Sequence, residues 1–371
     1  MKKKLLSFLI AGVLLWGSVL PAAAAPSGIS ARSAVVMDAE NGRILYEKDA
    51  RTPGGIASTT KIMTALVVLE RCNPDSLVYI RPEYTGIEGS SMYLKAGERL
   101  TVRELLYGML LVSGNDAATA LACYTAGTDE RFAALMNMKA AELGLTTAHF
   151  CNPHGLDAPG HSASALDMAR IAAAAMDHAL FAKIVASKTA AAGGRTLVNH
   201  NKLLWMYAGA CGVKTGYTKS TGRSLVSCCE RAGVRLICVT LGAPDDWNDH
   251  MQMYDAVWSS CSRRCAVSAG DILVRLPVIG GTADFLPVRA VGDVPVLAAD
   301  GDEIEVRLYL PHFVYADVQA GEVIGSARVS IDGVFCGETQ LAAAQSVCQD
   351  GTQRAGFREK LRLHIRLLFK R

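Results

Sequence analysis

No Cys-x-x-Cys pair, no His-Glu-x-x-His string and no Gly-x-Ser-x-Gly string occurs in the 371 residues. The first two absences remove the common signatures of a zinc site. The third removes the nucleophile elbow of a serine–histidine–aspartate hydrolase. Neither a metal nor an organic cofactor is expected. After residue 25 there is no apolar run near the ~20 residues that cross a bilayer. Charge of one sign is also scarce. The formal net charge is +3, and three of the lysines are Lys2, Lys3 and Lys4. A nucleic-acid partner is therefore not expected. There is no internal repeat, and 50% hydrophobic residues with 20% charged exclude a disordered or fibrous chain. The length accommodates two folded domains, or one large domain with a smaller appendage.

Residues 1–25 join those three lysines to an apolar run from Leu5 to Leu20 and then to Ala23, Ala24 and Ala25. This is the pattern of a secretory signal peptide cut near Ala25, so the protein is expected to be exported and to work outside the cytoplasm. Eleven cysteines would suit a disulfide framework in such a chain, but the number is odd and the spacings do not repeat. Cys228 and Cys229, adjacent on a strand-like segment, should point to opposite faces. Cys123 and Cys238 fall in apolar runs and suit small buried side chains. Cys261 and Cys265 could form a local bridge.

Strands are expected at Ala34 to Asp38 and Arg43 to Tyr46, joined by the hairpin signal Asn41-Gly42. Helical spacing follows from Ser58 to about Glu70, and again over Val102 to Leu111, Ala117 to Tyr124, Arg131 to Leu143 and Ala163 to Met176. Three strands with short links, Gly209 to Lys214, Arg223 to Cys229 and Val234 to Gly242, should pair antiparallel. The fold class is therefore α+β, an antiparallel sheet covered by helices over residues 26–265. Short strands at about ten-residue intervals give a small C-terminal all-β domain over 266–340. Gln340 to Gly356 reads as a spacer. In the tail from 341 to 371, residues 357–371 set six basic side chains beside an apolar set, the make-up of an interfacial helix on anionic lipid.

Ser58-Thr59-Thr60-Lys61 places a hydroxyl and an amine on one helical face. A lysine whose pKa is lowered by burial and by a second cation can take the proton of a serine nucleophile. Ser113-Gly114-Asn115, on a turn between helices, adds a hydroxyl suited to passing a proton and an amide suited to holding Lys61. Lys214-Thr215-Gly216 ends a strand along which an extended peptide can lie. Asp245, Asp246 and Asp249 read as a solvated loop, and His154 and His200 as structural hydrogen-bonding residues.

S-x-x-K, S-x-N and K-T-G in this order form the signature of the penicillin-binding proteins and serine β-lactamases. The longer strings Ile56 to Thr64, Leu111 to Ala118, Asn152 to Leu156, Asn199 to Leu204 and Gly212 to Thr218 resemble the low-molecular-mass D-alanyl-D-alanine carboxypeptidases, over residues 30 to 260. The resemblance implies Ser58 as nucleophile, Lys61 as general base and Ser113 as the relay of a proton toward the leaving amine, with Asn115 as a further catalytic residue. It implies an oxyanion hole from the backbone N–H groups of Ser58 and Tyr217, with Lys214, Thr215, Gly216, Tyr217 and Thr218 binding substrate. The implied substrate is a peptidoglycan stem peptide ending in D-Ala-D-Ala, with β-lactams as covalent inhibitors and the tail as membrane tether. Some relatives have an additional arginine for the terminal carboxylate, and the matching stretch from Gly242 to His250 contains none. A β-lactamase and a penicillin-binding sensor without turnover are the alternatives.

Overall fold

The computed structural model describes residue 26 and residues 28–350. The expected signal peptide over 1–25 and the expected membrane-surface tail over 357–371 lie outside the described residues.

The chain enters through β1 (Ser33–Asp38) and turns back into β2 (Ile44–Lys48). The turn is held by side chains, with Glu40 N donating to Asp38 Oδ1 and Arg43 N to Asn41 Oδ1, while Gly42 takes φ +74°. A 3-10 turn (Ala57–Thr60) leads into α1 (Lys61–Arg71). The short pair β3 (Leu77–Tyr79) and β4 (Arg99–Thr101) precedes α2 (Val102–Leu111). The start of α2 is set by a reciprocal capping box between Thr101 and Glu104. Then come α3 (Asn115–Ala126), α4 (Asp129–Glu142), α5 (Ala165–Met176) and α6 (Ala179–Ala186). Thr128 and Ser164 cap α4 and α5. A hairpin of β5 (Thr189–Ala192) and β6 (Arg195–Val198) and a single turn, α7 (Leu203–Met206), lead to β7 (Ala210–Thr218), β8 (Gly222–Arg231) and β9 (Val234–Leu241).

The main sheet is antiparallel throughout, in the order β2-β1-β9-β8-β7. Because side chains alternate along a strand, the sheet builds two cores. Val35, Met37, Ile237, Val239 and Cys228 face the larger one, with α1 to α6. Ala34, Val36, Leu236, Cys238 and Cys229 face the other, under α8 (Asp246–Ser260). Cys228 and Cys229 thus point to opposite faces as their spacing predicts. Cys238 is buried, Cys123 half-buried, and all eleven thiols are free, Cys261 and Cys265 included.

Two readings are corrected here. Asp246 and Asp249 are not part of a solvated loop: they lie in the first turn of α8 and are buried, while Asp245, at the N-cap position, is exposed. Carboxylates are favoured at a helix N-terminus, and each of the buried pair has donors. Asp249 accepts from Ser30 N, Ser30 Oγ and Ala31 N at 2.8–2.9 Å, which pins the start of the chain onto the helix. The stretch from Gln340 is not all spacer either. A strand runs through Ala343, and residues beyond it are held by the bridges Val318↔Val347 and Gly281↔Gln349. Small side chains suit the buried inner face, which is why alanine-rich sequence conceals a strand.

The C-terminal part consists of β10 (Cys261–Val267), β11 (Ile272–Ile279), β12 (Phe285–Ala290), β13 (Val294–Ala299), β14 (Ile304–Tyr309), β15 (Val314–Tyr315), β16 (Val323–Ile331) and β17 (Val334–Ala343). A six-stranded sheet, β14-β16-β17-β12-β11-β15, packs with the β10-β13 pair around its own core. Arg43 joins it to the main sheet, donating to Leu297 O at 2.9 Å and to Asp302 at 2.6 Å.

Candidate active site

Four segments converge on one cleft. The 3-10 turn before α1 supplies Ser58, the first turn of α1 supplies Lys61, the α2–α3 turn supplies Ser113 and Asn115, and β7 supplies Lys214 to Tyr217. The cleft, about 480 Å³, is lined by Ser58, Ser113, Thr215, Gly216 and Tyr217 among others.

Lys61 is completely buried. Its Nζ lies 3.0 Å from Ser58 Oγ, 2.7 Å from Asn115 Oδ1 and 2.5 Å from His154 O. An ammonium donates three hydrogen bonds. A neutral amine has two N–H groups and one lone pair, so it can donate to the two carbonyl oxygens and accept from the Ser58 hydroxyl. Burial, and after it the charge of Lys214, push the Lys61 pKa well below the usual lysine range, against a smaller opposing effect of Asp116.

Two of the left-handed non-glycine residues lie beside the reacting groups. Ala57, immediately before Ser58, has φ +46° and Ser113 has φ +62°. Such conformations cost about 1–3 kcal/mol each and persist where neighbours hold them. At Ala57 the hold comes from His161. Its Nδ1 accepts from Cys151 N at 3.0 Å, so Nε2 carries the proton and donates to Thr60 Oγ1 at 2.8 Å, and Thr60 in turn donates to Ala57 O.

The α3 end is fixed by Asp116, a buried carboxylate accepting from Ser91 Oγ, Met92 N, Leu94 N and Ala117 N at 2.6–3.0 Å. Asn115 donates to Glu88 O, leaving its Oδ1 for Lys61. Across the cleft, a side-chain carbon on Gly216 would sit 3.1 Å from the amide nitrogens of both Ser58 and Thr59. Glycine there keeps the space over the Ser58 amide open.

Residues 21–245 match the peptidase family described as D-alanyl-D-alanine carboxypeptidase. The chain belongs to that family. It is 30% identical over 372 residues to the D-alanyl-D-alanine carboxypeptidase DacF of Bacillus subtilis, covering 94% of this chain and 96% of the relative. With the carboxypeptidase DacA of Escherichia coli it shares 35% identity over 362 residues, 92% of this chain and 88% of the relative. Among solved structures, penicillin-binding protein 5 of Haemophilus influenzae superposes with a TM-score of 0.70 at 28% identity, over 87% of this chain and 99% of that one. The protein is thus a penicillin-binding D-alanyl-D-alanine carboxypeptidase, a serine peptidase of cell-wall metabolism.

Not every residue expected in this carboxypeptidase site has the expected position. Lys61 is held by Asn115, and Ser113 is not among its partners. Ser113 instead lines the cleft, its side chain making no hydrogen bond among the described residues. Lys214 is 1% exposed, donates to Thr215 O at 2.8 Å, and is brought by burial to a pKa of about 7. Thr218 does not line the cleft. Its hydroxyl donates to Asp157 at 3.0 Å, and Ser220 donates to the same carboxylate at 2.6 Å, closing the turn after β7 onto the 152–161 loop. His154 contributes its carbonyl, while its ring accepts from Leu156 N. His200 lines the cleft, and burial and then Lys214 lower its pKa. Sequence reasoning missed Arg223, Asp246 and Trp247, which also line the cleft.

Proposed function

We propose that Ser58 is the nucleophile of this carboxypeptidase and that Lys61, as a neutral amine, is its general base. The observation that carries this is the completely buried Lys61 Nζ 3.0 Å from Ser58 Oγ, where burial and the charge of Lys214 favour the uncharged amine. In this reading Ser58 Oγ attacks the carbonyl between the last two D-alanines of a peptidoglycan stem peptide as its proton passes to Lys61. The oxyanion that forms takes hydrogen bonds from the backbone N–H groups of Ser58 and Tyr217. Ser113 relays the proton that Lys61 has taken to the departing amine of D-alanine, and water, giving a proton to Lys61 as it attacks, then releases the acyl group, with that proton returning to Ser58 Oγ. Asn115 orients Lys61, and Thr215 and Gly216 line the path of the substrate backbone. A β-lactam acylates Ser58 by the same attack on its strained amide.

The protein acts outside the cytoplasm, where its relatives' cell-wall substrates are. Export through residues 1–25 and attachment to the membrane surface through residues 357–371 are part of the same proposal and rest on the sequence. The test is release of free D-alanine from a diacyl-Lys-D-Ala-D-Ala peptide, run beside Ser58→Ala and a penicillin-treated sample. Release abolished in both controls supports the reading. Release by Ser58→Ala would overturn it, and penicillin labelling of Ser58 without release would leave a sensor.

A further inference from the structure

We propose that Arg223 receives the terminal carboxylate of the substrate and that Asp246 is the positioning residue that holds it in the cleft. The inference rests on the carboxypeptidase reading, because a carboxypeptidase cuts next to a residue whose own carboxylate is free. Recognition of that anion in water requires a cation that is charged at every working pH and already aimed at the site.

Lys214 does not meet this requirement by itself. It is buried, it does not line the cleft, and its amine donates to Thr215 O of its own strand, with burial lowering its pKa to about 7. Arg223 does meet it. Its guanidinium presents five donors in a planar fork suited to a carboxylate. It stands on β8 in register with Tyr217 of β7, beside the edge that carries Thr215 and Gly216. It lines the cleft together with Ser58, and 42% of its side chain is exposed.

The side chain is also fixed. Nε and one terminal nitrogen lie 3.0 and 2.9 Å from Asp246 Oδ1, and the guanidinium carbon is 5.7 Å from the Trp247 ring centre. Asp246 is itself buried, with 3% of its side chain exposed, and its Oδ1 accepts from Trp247 N at 3.0 Å. Two groups of the arginine are thereby engaged and the remaining N–H groups are free for a ligand. The other charged residues lining the cleft do not compete well. Both oxygens of Asp245 are taken by Asn248 Nδ2, at 3.0 and 2.8 Å. Lys202 has no side-chain hydrogen bond or ion pair among the described residues, so nothing aims it. The arginine missing from Gly242 to His250 is therefore replaced from the neighbouring strand, while the Gly242–His250 stretch supplies the aspartate that anchors it.

The experiment measures D-alanine release from diacyl-Lys-D-Ala-D-Ala, and Ser58 acylation by benzylpenicillin and by its methyl ester, which lacks the carboxylate. Arg223→Ala is expected to lower kcat/KM for the peptide by roughly 10- to 100-fold, chiefly through KM, the loss of a strong charge-assisted hydrogen bond. Its preference for benzylpenicillin over the ester should collapse, with Arg223→Lys restoring part of it. Asp246→Asn should raise KM in the same direction. The double variant Arg223→Ala with Asp246→Asn removes any effect of an uncompensated buried carboxylate and should still lack the preference. Arg223→Ala keeping the wild-type preference, or Lys202→Ala abolishing it, would overturn the proposal. No D-alanine release by the wild-type protein would instead sink the carboxypeptidase reading, and the penicillin-versus-ester comparison would still report on Arg223.

Discussion

Gly155 lies against the carbonyl of Ala57. Its φ is +84°, and a Cβ at that position would fall inside the contact distance of Ala57 O and 2.9 Å from Thr60 Oγ1. The 152–156 loop can therefore bring the His154 carbonyl to Lys61 only with glycine next to it. Gly155→Ala adds the strain of a left-handed backbone to a backbone clash, together about 1–3 kcal/mol or more. The expected result is a slower acylation of Ser58 by penicillin, by about tenfold or more, in a protein that still folds. Stopped-flow acylation beside thermal unfolding checks it, and wild-type rates would show that the loop does not position Lys61.

The protonation state of Lys61 should govern acylation. A pKa well below the usual range means that the rate climbs as pH rises, with its limb below the ordinary lysine value of 10.5. Lys61→Ala should lower acylation by about 10²- to 10⁴-fold, the usual contribution of a general base. Circular dichroism beside the labelling checks that the Lys61→Ala variant keeps its fold. Penicillin labelling of Lys61→Ala at the wild-type rate would refute the base.

Much of this site was legible because the chemistry of the motifs and the local folding signals coincide. Helical spacing marks α2 over Val102–Leu111, and Asn41-Gly42 marks the first hairpin. The alternation in β1 and β9 divides their side chains between two cores. What stayed hidden depends on atoms without a sequence signature or on partners distant in the chain. The third ligand of Lys61 is a backbone carbonyl, and any residue could supply it. Asp246 reads as surface because its partner Arg223 is 23 residues away, on β8. Thr218 lies two residues beyond K-T-G, yet its hydroxyl is drawn out of the cleft by Asp157, 61 residues earlier.

Residues 357–371 should tether the mature protein to anionic lipid. Six basic side chains against Glu359 beside an apolar set favour such a surface, with a contribution from each basic group of about 1 kcal/mol. The mature chain should sediment with vesicles containing phosphatidylglycerol, less at high salt, and a chain ending at residue 356 should stay in the supernatant. Equal sedimentation of both chains would place the tether elsewhere.

Acid should destabilise the fold before the carboxylates of the surface are titrated. Burial lowers the pKa of His154 and His161 to about 4 and that of His250 to about 3, from 6.5. Above pH 6.5 these rings are neutral in both folded and unfolded chains and cost nothing. As pH falls below 6.5 the unfolded chain takes up protons that the folded chain refuses, so stability drops until the folded values are reached. For His161 this amounts to about 3 kcal/mol at most. Asp129, raised by burial to about 6 from 3.8, opposes the loss because the folded chain binds its proton first, and Asp38 and Asp246 act in the same sense. Three histidines with the larger shifts outweigh them, so the urea midpoint should fall between pH 6.5 and 4. His250 makes its two hydrogen bonds with Ser227 and Thr240 inside the sheet–α8 core. His250→Gln keeps a donor and an acceptor but cannot be protonated, and should flatten the pH profile while lowering stability at pH 7. An unchanged slope in that variant would assign the acid lability to other groups.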